Sequence, residues 1–233
     1  MSDDLDDLIR RVDPDRWLSS RFIGDAGRRA DVIAIYAYDH ELARAPKVAS
    51  NPLLGEIRLT WWREMLDEAY EGRHVRHHPT AQALADVIRR HDLPREPLEA
   101  MIDARYRELD ATPMSKADAM ALAFGTANSA AVLAIQVLGG AVEGSFASGW
   151  SAMWALSRLM ADGRLASSAV SEALAEVSLS MAEARTVERR DVSHEAFPAV
   201  AHATLAPHYA TGRRPTLFEK QLRLIWAVAR GRI

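Results

Sequence analysis

Apolar residues recur at helical spacing along most of the chain, and residues typical of helix ends interrupt that pattern. Asn51 followed by Pro52 is a combination of N-cap and first-turn proline that favours a helix start. Gly72 then indicates the end of this helix. One face of it is predicted to be buried because its apolar residues fall three or four positions apart. That face consists of Leu54, Ile57, Trp61, Met65 and Ala69.

Residues typical of helix starts and ends also recur along the rest of the chain. His78-Pro79 predicts the next helix start, and Ser115 with Asp118 has the spacing of a capping box. Residues 119–138 are apolar nearly all round, which predicts a central, buried helix that ends at the following glycine pair. Further helices are predicted over residues 3–12, 27–45, 96–110, 146–162, 167–190, 196–210 and 215–230. Alternation of the strand type is hard to find, so the chain is predicted to be one all-α domain over residues 1–233.

Composition narrows the function classes. The 233 residues are 48% hydrophobic and 26% charged with a formal charge of -3, which excludes the strongly basic balance of nucleic-acid-binding proteins. The absence of cysteine excludes disulfides, thiolate catalysis and cysteine zinc sites. Uninterrupted apolar runs of about 18 residues are lacking, and no predicted helix shows a clear lipid-facing stripe. The acidic N-terminus predicts a cytoplasmic location, with peripheral contact at the inner membrane face left open.

Residues 29–63 carry a family resemblance. Arg29, the Ala-Ile-Tyr-Ala stretch at 34–37 and a tryptophan-rich second helix resemble the opening of the squalene/phytoene synthases. The segment 56–63 resembles one branch of that family, which includes the mitochondrial complex I assembly factor 6 proteins and their short bacterial relatives. The resemblance extends more loosely over residues 72–79, 121–140 and 197–200. It implies an isoprenoid-synthase-type helical bundle around a central cavity.

The resemblance also implies a catalytic apparatus that this sequence lacks. Active members hold magnesium through two aspartate-rich motifs on facing helices, and the metal binds the diphosphates of prenyl substrates. A gap-free alignment places the first aspartate pair on Ala43 and Lys47, neither of which ligates magnesium. Nearby Asp39 and Glu41 are two residues apart and should point to different sides of a helix.

The helix expected to carry the second motif contains Trp154 and a single acid, Asp162. We therefore assign no catalytic residue, no metal ligand and no cofactor. Magnesium would be required only if the chain were an active transferase.

Six residues of the resembling window are predicted to bind a ligand. They are Arg29, Tyr36, Arg44, Lys47, Arg58 and Trp62. For Arg44 and Lys47 two interpretations stay open. They are either a solvated basic helix end or direct contacts to an anionic head group without metal.

Three other clusters favour structural interpretations. The histidines at 74, 77 and 78 with their neighbouring arginines indicate an exposed basic loop rather than a zinc site. Asp103 and Arg107 are spaced for a surface ion pair. Trp61 and Trp62 lie about 100° apart on a helix, so they are either both core, facing different points, or one core and one surface, where it would anchor a partner.

The sequence supports more than one function. The first hypothesis is a non-catalytic binding or assembly factor with a protein partner, which the resemblance places in respiratory complex I biogenesis, with an isoprenoid or lipid as an open ligand. The alternative is an active prenyltransferase that condenses two prenyl diphosphates head to head. A carrier that holds an apolar ligand in a metal-free cavity is the third.

Overall fold

The structure is a bundle of helices. The computed structural model describes residues 2–47, 51–140, 146–161, 168, 171–178 and 192–233, and these contain no strand. The first six helices are α1 (Ser2–Val12), α2 (Pro14–Ser20), α3 (Ala26–Arg44), α4 (Pro52–Tyr70), α5 (Pro79–His91) and α6 (Arg95–Tyr106). They are followed by α7 (Lys116–Ala123), α8 (Ser129–Val137), α9 (Phe146–Ala161), α10 (171–178), α11 (Ala206–Ala210) and α12 (Leu217–Arg230).

Several helix starts lie where the local sequence predicts them. The side chain of Asn51 accepts a hydrogen bond from the backbone N–H of Leu54 at 3.0 Å. Ser115 and Asp118 form the predicted capping box at the start of α7. Such caps satisfy backbone N–H groups that have no partner inside the helix, which is why a few residues locate them.

The long central helix is confirmed and has an irregular middle. A π-helical turn at Phe124–Asn128 joins α7 and α8 into one helix, Lys116–Val137. This helix is long and apolar enough to cross a membrane, but 61% of its most apolar window is buried inside the protein. Gly125 lets the π turn approach α6, since a Cβ atom there would lie 2.7 Å from the Cβ of Ala104.

The buried face of α4 matches the prediction in part, because Met65 and Ala69 are buried and Trp61 is half-buried. Leu54 and Ile57 are 39% and 55% exposed, and Leu59, Trp62 and Leu66 are buried instead. Gly55 is buried on the same side, where a Cβ atom would meet the side chain of Leu109. The first turn of α4 therefore meets the residues after α6 through its glycine, and Leu54 and Ile57 lie on other sides of the helix.

Two other predicted elements need correction. Residues 196–210 form two 3-10 turns, Phe197–Ala199 and Ala201–Leu205, and then the short α11, because Pro198 and Pro207 each lack the N–H that a continuous helix needs. The segment 96–110 is α6 with a 3-10 extension over Arg107–Leu109. Of the predicted helix 167–190, residues 171–178 are helical, and 162–167, 169–170 and 179–191, which include Asp162, lie outside the described residues.

Candidate functional site

A central cavity of about 260 Å³ lies between α2, α3, α6, the α7 region and α9. It brings together Ala43 and Lys47, where the resemblance places the first aspartate pair, and Trp154, on the helix expected to carry the second. Four basic and two acidic side chains also line it. The charged lining residues are Asp13, Arg16, Asp39, Lys47, Arg105 and Arg158.

Asp39 is buried on α3 between two arginines. Its carboxylate accepts a hydrogen bond from Arg16 at 2.6 Å and one from Arg105 at 2.9 Å. Burial by itself would raise the pKa of Asp39, but the two guanidinium groups outweigh it and lower that pKa to about 2. Arg105 also pairs with Glu108 at 2.7 Å. Both carboxylate oxygens of Asp39 are thus engaged by the protein itself.

Trp154 forms the opposite wall with cations against its ring. The guanidinium groups of Arg16 and Arg158 lie 4.9 and 4.8 Å from the ring centroid, as in cation–π pairs. Arg158 also donates a hydrogen bond to Asp13 at 2.9 Å. Asp13 caps α2 through its side chain. Arg158 of α9, Asp13, Arg16 of α2 and Asp39 of α3 are therefore joined in one network of ion pairs.

A second buried carboxylate, that of Asp15, binds the indole group of Trp154. Asp15 accepts hydrogen bonds from the indole N–H of Trp154 at 3.1 Å and from the hydroxyl of Tyr209 at 2.8 Å. The ammonium group of Lys220 lies 2.7 Å from the other carboxylate oxygen. This cluster joins α2, α9, α11 and α12, and it fixes the orientation of the tryptophan in the cavity wall.

His202 packs on the far side of Trp154, with the two rings 4.6 Å apart. It is buried, and neither ring nitrogen has a hydrogen-bond partner among the described residues. Burial, with the positive charges of Arg16 and Arg158, lowers the pKa of His202 well below its usual value. The imidazole is therefore neutral at physiological pH.

A separate groove of about 350 Å³ lies where α3 and α4 meet the residues before α5. We call it the tryptophan groove; its lining is Glu41, Arg44, Ala45, Ile57, Arg58, Trp61, Trp62 and His78. Trp62 is buried and Trp61 is half-buried, with their rings edge to face at 4.9 Å. Of the two predicted arrangements, the structure has the one with a core tryptophan and a second tryptophan nearer the surface. His78 packs against both rings.

The six predicted ligand-binding residues fall in three places. Tyr36 and Lys47 line the central cavity. Arg44, Arg58 and Trp62 line the tryptophan groove. Arg29 lies elsewhere, near the end of α2, and donates a hydrogen bond to the carbonyl of Ile23 at 3.3 Å. They do not form one site.

The acids Asp39 and Glu41 are separated as their spacing predicts. Asp39 lines the central cavity, and Glu41 lines the tryptophan groove and pairs with Arg44 at 3.0 Å. The predicted pair of Asp103 with Arg107 is wrong. Asp103 pairs with Arg63 instead, and Arg107 pairs with Asp118 at 3.1 Å, because α6 ends at Tyr106.

In the basic segment after α4, Arg76 pairs with Glu64 and Glu68. Groups of three or more potential metal ligands are not found among the described residues.

Sequence reasoning missed the arginines of the central cavity, and it missed α2 altogether. Asp13-Pro14 is the same combination of N-cap and first-turn proline that predicts α4, so the signal for α2 was present. Arg105 and Arg158 carried no such signal. Their role depends on which helices pack against α3.

Comparisons with known proteins identify the family. A squalene/phytoene synthase family profile matches residues 9–162, most of the chain. The chain belongs to the squalene/phytoene synthase family. A solved dehydrosqualene synthase in complex with ligand has the same fold, with a TM-score of 0.72, 12% identity, and 99% of this chain and 95% of that chain covered. This shows that the bundle is the isoprenoid-synthase-type fold.

The curated relatives are assembly factors. Complex I assembly factor 6 of Bos taurus is 31% identical over 104 residues, and that of Homo sapiens is 29% identical over 104 residues. Each match covers 45% of this chain and 31% of the relative. The chain therefore matches about a third of the length of these relatives.

The described residues that line the central cavity do not suit the magnesium ions that the resemblance implies for active members of the family. Magnesium prefers carboxylate oxygens with water and phosphate in octahedral geometry. The carboxylates among the described lining residues are Asp13 and Asp39, and each is paired with arginine. Ala43, Lys47 and Trp154 offer no carboxylate, and the four basic side chains repel a divalent cation.

Proposed function

We propose that this protein is a non-catalytic member of the squalene/phytoene synthase family that acts as a binding or assembly factor in respiratory complex I biogenesis. One observation carries the proposal: Asp39, the cavity carboxylate closest in sequence to the expected first aspartate pair, is held by Arg16 and Arg105. An acid that neutralises two buried arginines is part of the fold rather than a metal ligand.

The role in complex I biogenesis is proposed from the names of similar proteins. Two mammalian proteins named as complex I assembly factor 6 are similar to this chain at about 30% identity. Their match covers part of each protein, so the role in complex I biogenesis is transferred here as a proposal. We further propose the inner face of a membrane as the place of action, with a protein partner and without nucleic acid.

The cavity chemistry suggests what a small ligand would be. An apolar molecule with an anionic head group fits a cavity where Tyr36 and Trp154 lie beside Arg16, Lys47 and Arg158. We propose an isoprenoid or lipid of this kind, with Tyr36 and Lys47 as contacts. The tryptophan groove, with Arg44, Arg58 and Trp62, is proposed as the partner site.

A deletion strain tests the assembly role. NADH:ubiquinone oxidoreductase activity of its membranes should fall and should return when the gene is supplied again. Unchanged complex I activity in the deletion strain would contradict the proposal.

Product analysis tests the absence of catalysis. The purified protein is incubated with farnesyl or geranylgeranyl diphosphate and magnesium, and we expect no condensed product. Any condensed product would contradict the proposal and favour the transferase alternative. Mass spectrometry of lipids that copurify with the native protein tests the isoprenoid or lipid ligand.

A further inference from the structure

The last helix is apolar on the side turned away from the protein. Four large apolar side chains on one side of α12 are each more than half exposed: Phe218, Leu222, Ile225 and Trp226. We call this set the outer face of α12. Exposed apolar residues are ordinary when scattered singly, but a contiguous set on one helix indicates a surface that binds something.

Packing and charge together fix which side of α12 faces outward. Leu224 and Ala227 are buried on the inner side, roughly opposite Leu222 and Trp226 at 100° per residue. Lys220, also on the inner side, pairs with the buried Asp15 of α2. The helix is thus anchored by three inner residues, and rotation that buried its outer face would break a buried ion pair.

Basic residues surround this face. Residues 213–233 contain six basic residues and one acid, whereas the whole chain carries a formal charge of -3. Arg223, Arg230 and Arg232 are exposed, and the guanidinium group of Arg230 lies 3.7 Å from the centroid of the Trp226 ring. Positive charge is therefore concentrated at the end of the chain where the apolar side chains are exposed.

We propose that the outer face of α12 docks on an anionic lipid bilayer, with the helix lying in the plane of the interface. Large aliphatic and aromatic residues flanked by arginine are typical of interfacial helices, whose arginines attract anionic head groups. The 14 residues of α12 are too few to span a bilayer, which takes about 20. This surface would bring the protein to the membrane that the proposed function names as its location. The docking of α12 rests on the proposed function for that location alone.

The sequence alone hides this surface. The apolar residues of α12 have helical spacing, so a sequence-based interpretation assigns them to the core. Only the packing of Leu224, Ala227 and Lys220 against the rest of the protein shows that the larger apolar set faces outward.

Vesicle binding by the purified full chain tests the proposal. Phosphatidylcholine vesicles with and without phosphatidylglycerol are floated with the wild type, the Phe218→Ser/Trp226→Ser variant and the Arg223→Glu/Arg230→Glu variant. We expect the wild type to bind the anionic vesicles, and each variant to bind at least about tenfold more weakly. The matched control is Leu53→Ser/Leu54→Ser, which changes two exposed apolar residues at the start of α4 and should bind like the wild type.

Three results would overturn the proposal. The first is wild-type binding that the α12 variants do not weaken. The second is an absence of wild-type binding to the anionic vesicles. The third is a wild-type dimer, seen by light scattering without lipid, that the Phe218→Ser/Trp226→Ser variant converts to a monomer, since α12 would then bind a second copy. Circular dichroism of each variant shows whether it is folded. Because purified protein and lipid suffice, failure here is distinct from an unchanged complex I activity in the deletion strain.

Discussion

Arg16 and Asp39 form a buried ion pair, with 2.6 Å between Nη1 of the arginine and Oδ2 of the aspartate. The pair joins α2 to α3 at the cavity wall, and Arg105 of α6 completes it from the other side. Three helices thus meet at one carboxylate. The acid therefore joins three helices of the bundle at the wall of the central cavity.

Removal of this carboxylate should be costly. In Asp39→Ala, Arg16 and Arg105 lose a shared counter-ion while staying buried, and breaking such a pair costs about 3–5 kcal/mol. Urea denaturation of the purified protein measures the change in the free energy of unfolding. The control is Asp103→Ala, which removes an exposed partner of Arg63 and should change that free energy far less. Equal effects of the two substitutions would contradict this role for Asp39.

The same carboxylate predicts an acid-dependent loss of stability. The pKa of Asp39 is about 2 in the folded protein, below the value of about 4 expected when unfolded. A depressed pKa gives stability that is complete above the unfolded value and is lost as the pH falls towards 2. The difference in unfolding free energy between the wild type and Asp39→Asn should therefore shrink between about pH 4 and pH 2. A difference that is independent of pH over this range would show that Asp39 keeps an ordinary pKa.

The stability that depends on His202 should be lost at a higher pH than the stability that depends on Asp39. Its lowered pKa means that the unfolded chain takes up a proton below about pH 6.5 while the folded chain does not. Stability should therefore be complete above this pH and fall by up to about 1.4 kcal/mol per pH unit below it. Unfolding curves of the wild type and His202→Gln between pH 7 and pH 5 measure this slope. In His202→Gln the free energy of unfolding should depend less steeply on pH, because the histidine that takes up the proton is absent. A slope equal to that of the wild type would contradict the prediction.

Truncation of Trp154 should destabilise the protein strongly, whereas truncation of Trp226 should hardly change its stability. Trp154 is 3% exposed and contacts Arg16, Arg158 and His202, so Trp154→Ala should destabilise the fold by about 3–5 kcal/mol. Trp226 is 57% exposed, and its replacement by alanine should leave the melting temperature nearly unchanged. Differential scanning calorimetry compares the two variants. A large loss in Trp226→Ala would mean that the outer face of α12 supports the fold.

The tryptophan groove should matter for assembly rather than for stability. Arg58→Glu reverses an exposed charge in the groove and should lower complex I activity when it replaces the wild type in the deletion strain. Its control is Arg89→Glu, an equally drastic change at an exposed position of α5. Full complementation by both variants would remove the groove as the partner site.

Local signals explain which elements the sequence predicts well. The starts of α4 and α7 depend on Asn51 and on Ser115 with Asp118, because a cap needs only residues within one turn. On α4, Met65 and Ala69 are buried as predicted, but Leu54 and Ile57 are exposed, because burial of the first turns depends on which elements pack against the helix. Residues 196–210 are broken by prolines whose effect the apolar pattern conceals.

The sequence by itself determined the all-α class and the family resemblance, because these depend on residue identity and near neighbours. The tertiary structure decided what the remaining charges do. Asp39 lies between Arg16 and Arg105 only because α2 and α6 pack against α3, across 23 and 66 positions of the chain. The outer face of α12 is likewise decided by Lys220 and Asp15, whose attraction acts through space and leaves no local pattern.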